Sequence, residues 1–261
     1  MNINFKNKHA LVCGSTAGIG KATAIILARR GATVTLVARN EDKLKKTLSA
    51  LSSENGQIHD YLIADFSKPE ALRSTIEKAV EEKTYHILIN NTGGPKGGPI
   101  LSAATDAFEK AFTMHVICNQ ILVQALAPGM KEANYGRIIN IISTSVKQPI
   151  DNLGVSNTIR GAVASWSKTM ASELGPFGIT VNNVLPGFTA TGRLDDVIAN
   201  RMNLSGKSKD EVSQAMRNTV PARRFAEAEE VAQAVVFLAS ELASYINGIN
   251  LPVDGGRTKS L

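Results

Sequence analysis

Short apolar runs recur along the whole chain, and stretches with the periodicity of amphipathic helices lie between them. The runs are 9–14 (HALVCG), 33–38 (TVTLVA), 58–64 (IHDYLIA), 86–91 (HILINN), 137–143 (RIINIIS), 179–185 (ITVNNVL) and 249–253 (INLPV). Each is rich in Val and Ile and bounded by turn residues, which is the pattern of a strand. Their apolarity is continuous rather than alternating, so each strand is expected to be buried on both faces, as in a parallel sheet. Helical patterns occupy 21–31, 41–51, 69–82 and 228–240, with two longer apolar ones at 105–131 and 153–174. Alternation from end to end predicts an α/β chain: a doubly wound (Rossmann) seven-stranded parallel sheet with helices on both faces. No internal repeat or Pro/Gly/Ser-rich linker divides the sequence, so residues 1–261 are expected to form a single domain. Only 192–225 breaks the rhythm. It is charged, helical in pieces and without a strand, and is expected to be a lid-like surface insertion.

Composition narrows the function classes. With 43% hydrophobic and 20% charged residues, the 261-residue chain is neither disordered nor fibrous and is long enough to bury a sizeable core. Two cysteines, Cys13 and Cys118, cannot build a disulfide framework or a four-cysteine zinc site. His9, His59, His86 and His115 are too dispersed to suggest a metal centre, and none is expected. The first residues lack the apolar stretch of a signal peptide, and no apolar run approaches the roughly 18–20 residues of a membrane span. The expected compartment is the cytoplasm, with no membrane association. The net charge of +6 is spread out, its densest knots being KLKK at 43–46 and ARR at 222–224. That distribution argues against a nucleic-acid partner and suits an enzyme whose small-molecule ligand carries phosphates.

The first apolar run leads into CGSTAGIGKATAIILARRG, where Gly14, Gly18 and Gly20 follow the strand and open the helix. Glycines allow the tight turn and let a pyrophosphate approach the backbone. The helix N-terminus then offers free N–H groups and the positive end of its dipole. No Lys-Ser or Lys-Thr pair closes the loop, so it is not a Walker loop.

With this loop and the motifs after it, the chain resembles the short-chain dehydrogenase/reductase family along nearly its whole length. Gly14, Gly18 and Gly20 match the family's GxxxGxG. Asp65-Phe66 matches its adenine-side acidic position, and Asn90-Asn91-Thr92-Gly93 its Asn-Asn-Ala-Gly motif, with Thr for Ala. Ser143 ends GRIINIIS where the family has its catalytic serine. LPGFTAT supplies Pro186, Gly187, Thr189 and Thr191 of the nicotinamide-side loop, and YINGINLPVDGG resembles the last strand. The nearest flavour is the 3-oxoacyl-(acyl-carrier-protein) reductases. The resemblance implies that Gly14, Ser15, Thr16, Gly18, Ile19, Gly20, Asp65, Phe66, Asn91, Thr92, Gly93, Arg160, Pro186, Gly187, Thr189 and Thr191 contact a nicotinamide dinucleotide. The second strand ends in Ala38 and Arg39 rather than an acidic residue. A carboxylate there would select NAD, whereas an arginine pairs with a 2′-phosphate, so NADP is expected over NAD.

The resemblance breaks at the catalytic positions. The family sets Asn, Ser, Tyr and Lys at fixed spacing, and counting from Ser143 places His115, Ser156 and Arg160 in the Asn, Tyr and Lys slots. The neighbouring stretches FTMHV and RGAVASWSKTMASEL support this register. In the family, the tyrosine donates a proton to the substrate oxygen, its pKa of roughly 10 lowered by the lysine. A serine hydroxyl is a weaker acid and shorter. Arg160 keeps the positive charge and can hold ribose hydroxyls, but it stays protonated and cannot relay a proton. Lys147, just past Ser143, is the first candidate for a replacement acid; water held by Ser143 or Ser156 is another. His115 is expected to titrate near neutral pH in a slot behind Arg160.

Two readings follow. In the first, the chain is an NADP-dependent oxidoreductase with a changed proton donor, reducing a ketone such as a 3-oxoacyl thioester. In the second, it is a nucleotide-binding sensor or assembly subunit without hydride transfer. The glycine- and proline-rich loop 91–99, at a strand's C-terminal edge, is expected to border a carbonyl or alcohol substrate. Arg193, Arg223 and Arg224 flank the insertion and either receive an anionic group or keep the surface soluble. The family resemblance also implies a homodimer or homotetramer packed through the helices at 105–131 and 153–174.

Overall fold

The computed structural model describes residues 3–260. Its strands are β1 (His9–Cys13), β2 (Thr33–Ala38), β3 (Asp60–Ile63), β4 (Ile87–Asn90), β5 (Gly136–Ile141), β6 (Ile179–Pro186) and β7 (Asn250–Val253). They form one sheet in the order β3-β2-β1-β4-β5-β6-β7, with every neighbouring pair parallel. Successive side chains of a strand point to opposite faces, and the central strands fill both. Val12, Ile87, Ile89 and Ile139 pack on one side with Ala24, Leu27, Val235 and Val236, from α1 (Gly18–Arg29) and α9 (Ala228–Ala239). Leu11, Leu88 and Ile138 pack on the other with Ile76, Leu122 and Leu126, from α3 (Pro69–Glu82) and α5 (Cys118–Glu132). In the central strands the unbroken apolarity is thus explained by two cores, one above and one below the same strands, whereas the edge strands β3 and β7 hold no buried residue and do not meet the expected burial on both faces.

Other departures from the sequence reading sit at strand ends. The run 58–64 enters the sheet only at Asp60. Ile58 is 85% exposed, and the His59 ring accepts the Val34 N–H at 3.0 Å. His86 likewise precedes β4 and accepts the His9 N–H at 3.1 Å. These two histidines satisfy backbone donors at the sheet's N-terminal edge, which is a structural task. The stretch 105–132 is also more apolar than the sequence reading allowed: it is long and apolar enough to cross a membrane. Here α4 (Thr105–Phe112), a π turn (Thr113–Ile117) and α5 run on as one helix, and 56% of its most apolar window is buried against the rest of the chain. It is a core helix of the sheet's second face.

The insertion is a helical hairpin. α7 (Gly192–Ser205) and α8 (Lys209–Asn218) pack through Leu194, Ile198, Val212 and Met216, with Phe188 and Phe225 beside them. A capping box between Ser208 and Glu211 fixes where α8 starts. Backbone bonds from Ala190 N to Ala226 O (2.7 Å) and from Ala226 N to Phe188 O (2.8 Å) tie the hairpin's base to the loop after β6. From β1 the chain runs to β2 and β3 on one side, then returns to β4 on the other. Ligands of open α/β sheets bind where the strand order reverses in this way. At that point the loops after β1 and β4 meet.

Candidate active site

The loop after β1 is shaped by contact with Asn91. Gly14 has φ +57°, and a Cβ there would lie 2.4 Å from the Asn91 carbonyl oxygen. A Cβ on Gly20 would lie 2.3 Å from the Gly14 carbonyl oxygen. Asn91 donates its side-chain amide to the carbonyls of Cys13 and Gly14, at 3.3 Å each. Gly18 (φ +51°) faces Thr191, whose methyl group would be 3.0 Å from an added Cβ. Ser15 is fully buried and bonds to the Val37 carbonyl, while Thr16 and Ile19 stay partly exposed. Ala17 caps α1 without a side-chain hydrogen bond, and no acidic residue sits in the first turn. The first N–H groups of α1 thus have no side-chain cap and lie beside a glycine cradle, an arrangement that fits a pyrophosphate.

At one end of this cradle are Arg39 and Asp65. Arg39 is exposed past the tip of β2. Asp65 accepts bonds from the Ser67 N–H and hydroxyl at 2.9 Å each. The Ser67 backbone bond chiefly holds its carboxyl below the usual range, with a smaller contribution from the Arg39 charge. Phe66 is buried behind it.

The other end brings Thr92, His115 and Arg160 together, and Ser143 and Ser156 lie on the elements that lead to it. Ser143 follows β5, and its hydroxyl accepts the Ser145 N–H at 3.0 Å. Ser156 is buried in the first turn of α6 (Gly154–Leu174), and Arg160 one turn later is only 8% exposed. Arg160 donates to the Ile141 carbonyl at 3.2 Å and to that of Thr92 at 3.5 Å. Burial, and then the charge of Arg193, lower its pKa to about 10, so it is still a cation at neutral pH. His115 sits in the π turn, a wider turn often found at functional sites, with Nδ1 2.6 Å from the Thr92 hydroxyl. The expected titration near neutral pH is not met: burial and the Arg160 charge push His115 down to about 3. Lys147 is exposed just past the 3₁₀ turn Thr144–Val146. Gly187, beside Pro186, passes so close to Asp254 that a Cβ would meet its Cα at 2.7 Å. Thr189 is buried against the Gly187 carbonyl, and Thr191 caps α7.

The three arginines of the insertion have different tasks. Arg224 makes a two-pronged ion pair with Glu230 at 2.5 and 2.6 Å, and this holds Glu230 down to about 2. Arg223 caps the end of α8 through the Asn218 carbonyl at 2.7 Å. Arg193 instead reaches back to the Pro95 carbonyl at 2.8 Å, in the loop after β4.

Sequence reasoning missed a polar ladder beneath the site. Asn90, Asn140, Asn183 and Asn250 are register partners on β4 to β7. Their amides bond in series at 2.8, 2.9 and 2.8 Å, and Asn140 also reaches Ser167. The signal was present as an asparagine in each of four apolar runs.

Comparison with known proteins agrees with this layout. Residues 14–258 match the family model described as Enoyl-(Acyl carrier protein) reductase. The chain is 30% identical over 254 residues to the NADPH-dependent reductase BacG of Bacillus subtilis, covering 97% of this chain and 98% of that protein. It is 33% identical over 256 residues to the 3-oxoacyl-(acyl-carrier-protein) reductase FabG of Vibrio harveyi, covering 97% and 98%. Among solved structures, L-sorbose reductase from Gluconobacter frateurii, complexed with NADPH and L-sorbose, superposes with a TM-score of 0.92 at 31% identity over the full length of both chains. The glycine cradle at the β1–β4 reversal, the sheet order and these matches make the chain a member of the short-chain dehydrogenase/reductase family.

Proposed function

We propose that the chain is an NADP-dependent oxidoreductase that reduces a ketone such as a 3-oxoacyl thioester, with Ser156 and Arg160 in the family's Tyr and Lys positions. The observation that carries this reading is the continuous track from the Gly14–Gly20 cradle, across Asn91, to the buried cation Arg160 under Thr92. BacG and the sorbose reductase, both similar over nearly the whole chain, are NADPH proteins. Arg39 would hold the 2′-phosphate, Asp65 and Phe66 the adenine side, and Gly93, Pro186, Gly187, Thr189 and Thr191 the nicotinamide side. Bound NADPH would supply the hydride. Arg160 would orient the ribose, and Ser143 and Ser156 would hold the substrate oxygen. The proton would come from Lys147 or from water on the two serines. His115, uncharged well below neutral pH, would position Thr92 rather than give up a proton. The α7–α8 hairpin would close over the substrate as a lid.

The test has two steps. NADPH should bind, seen by its fluorescence, and should be consumed with a panel of ketones that includes a 3-oxoacyl thioester. Ser156→Tyr with Arg160→Lys should then raise turnover by about 10²–10⁴-fold, the usual worth of a placed general acid. Lys147→Ala separates the two proton sources, because turnover survives if water supplies the proton. No NADPH binding would overturn the reading, and binding without consumption of any ketone would favour a nucleotide-binding role. The same reading takes the protein as a cytoplasmic homodimer or homotetramer. Phe112 (42%) and Ile117 (39%), left exposed on the 105–132 helix, support that assembly, which sedimentation would test.

A further inference from the structure

Arg160 is a buried guanidinium whose neighbours do not balance its charge. Among the described residues it donates only to main-chain carbonyls, and the charge that acts on it is another cation, Arg193. Among the described residues neither arginine is in an ion pair with a carboxylate. The two meet at one place. A Cβ built on Gly94 would lie 3.7 Å from Nη2 of Arg160 and 3.7 Å from Nη2 of Arg193, with no other atom among its near neighbours. Arg193 is brought there by the start of α7 and pinned by the Pro95 carbonyl, while Arg160 rises from beneath, out of α6. A buried charge without a counter-charge is costly, and guanidinium forks match the oxygens of carboxylate and phosphate.

The geometry points to an anion subsite over Gly94, formed by Arg160 and Arg193, that takes a carboxylate or phosphate carried by the substrate. This rests on the reading of the chain as an NADP-dependent oxidoreductase and narrows its substrate class to ketones bearing an anionic group. Arg193 has a purpose in this site that Arg223, held by the Asn218 carbonyl, and Arg224, paired with Glu230 of α9, do not share. The hairpin's first turn would then close on the substrate through charge.

Gly94 offers a direct test. Its φ lies outside the left-handed range, and a Cβ there is in ordinary contact, so side chains are admissible. Gly94→Asp would place a carboxylate between the two guanidiniums as a built-in competitor, and Gly94→Ala controls for bulk. The NADP-saturated protein is titrated by calorimetry with acetoacetate, with methyl acetoacetate and with inorganic phosphate. NADPH affinity is measured separately by fluorescence for every variant. The expected result is that acetoacetate or phosphate binds and the ester does not. Anion affinity should fall about 10- to 100-fold in Arg193→Met and in Gly94→Asp, with Gly94→Ala setting how much of the second loss is bulk rather than charge. NADPH affinity should stay unchanged in Arg193→Met. If that variant loses NADPH affinity instead, the anion is a phosphate of the cofactor and the substrate assignment falls. Equal binding of acid and ester, no anion binding to the NADP complex, or full anion binding by Gly94→Asp would overturn the subsite while leaving the oxidoreductase reading standing. Failure of the unaltered protein to bind NADPH would overturn both.

Discussion

Between β1 and α1, a Cβ on Gly14 would press into the Asn91 carbonyl at 2.4 Å and one on Gly20 into the Gly14 carbonyl at 2.3 Å. After β4, a Cβ on Gly93 or Gly98 would meet nothing within 4 Å, and one on Gly94 only the tips of two arginines. Both loops are rich in glycine and both lie at the C-terminal edge of the sheet, yet the reasons differ. In the first, backbone packs on backbone, and glycine is the only residue the contact admits. In the second, Gly97 does pack against the Asn152 carbonyl at 3.0 Å, but at Gly93, Gly94 and Gly98 the missing side chains leave open space, bounded at Gly94 by two cations. A glycine loop is thus either a joint or a vacancy, and only the contacts around each Cα tell which.

The contrast is broken most directly by adding one methyl group to each loop. Gly20→Ala should be the most damaging single change at the site. The new Cβ meets main-chain atoms that cannot rotate away, and overpacking of this kind costs about 1–3 kcal/mol. Because the displaced atoms shape the phosphate cradle, NADPH affinity should fall with stability. Urea unfolding and fluorescence titration of the same variant would show both losses. Unchanged binding would mean that the cradle is not the cofactor site.

Acid should act on the second loop before the first. Thr92 is held by His115, whose pKa in the fold is about 3 against an ordinary 6.5. The unfolded chain therefore takes up a proton below pH 6.5 that the folded chain refuses until about pH 3. This group's contribution to stability is complete above 6.5 and is lost as pH falls through that window, at up to about 1.4 kcal/mol per pH unit. His86, lowered to about 4 by burial, adds a parallel loss over a narrower window. Unfolding midpoints between pH 7 and pH 4 should fall steeply, and His115→Asn should flatten part of the slope. An equal slope in that variant would show that His115 is not the buried neutral group described here.

Much of this was legible in the sequence for one physical reason: steric and burial constraints leave local traces. Continuous Val/Ile runs reported two-sided burial in the central strands, though not in the edge strands β3 and β7, and Gly14, Gly18 and Gly20 reported close approach. The α3 pattern at 69–82 matched its helix because Pro69 at the start and the apolar spacing of Leu72, Ile76 and Ala79 are both local. What stayed hidden depends on pairs far apart in the chain. The asparagine ladder needs the register of four strands, and nothing near Asn140 announces Asn183 as its partner. Arg193 could not be told from Arg223 and Arg224 until the hairpin was seen to aim one of them at Pro95. His115 carried the right slot but the wrong titration, because its environment is made by Thr92 and Arg160, 23 and 45 positions away.

A smaller effect sharpens the comparison at the adenine end, where the first loop's cradle finishes. Arg39 is exposed and its charge reaches Asp65. Pairing with a 2′-phosphate should favour NADPH over NADH by about 1–3 kcal/mol, as for hydrogen bonds to charged groups. Arg39→Asp should reverse the order while moving the unfolding midpoint little, since the side chain is exposed and its effect on Asp65 is a minor one. Equal affinities for the two cofactors in the unaltered protein would remove Arg39 from the site.

The smallest effect is the most diagnostic for the second loop. Gly98 does not have the positive φ that penalises side chains, and a Cβ there would point into open space. Its N–H bonds to the Asn152 carbonyl at 2.7 Å and its carbonyl accepts from Gly154 at 3.3 Å, both main-chain contacts that alanine preserves. Replacing such a glycine mainly reduces the freedom of the unfolded chain, an effect worth about 0.4–1 kcal/mol in favour of the fold. Gly98→Ala should therefore raise the urea midpoint slightly, while Gly20→Ala, the same one-methyl change, lowers it. If Gly98→Ala were as destabilising as Gly20→Ala, the loop after β4 would be a packed joint like the first, and the open space assigned to a substrate there would not exist. If it were stabilising but slowed turnover, the vacancy is occupied in the working enzyme, because a methyl group that costs the fold nothing would then be in the way of a ligand.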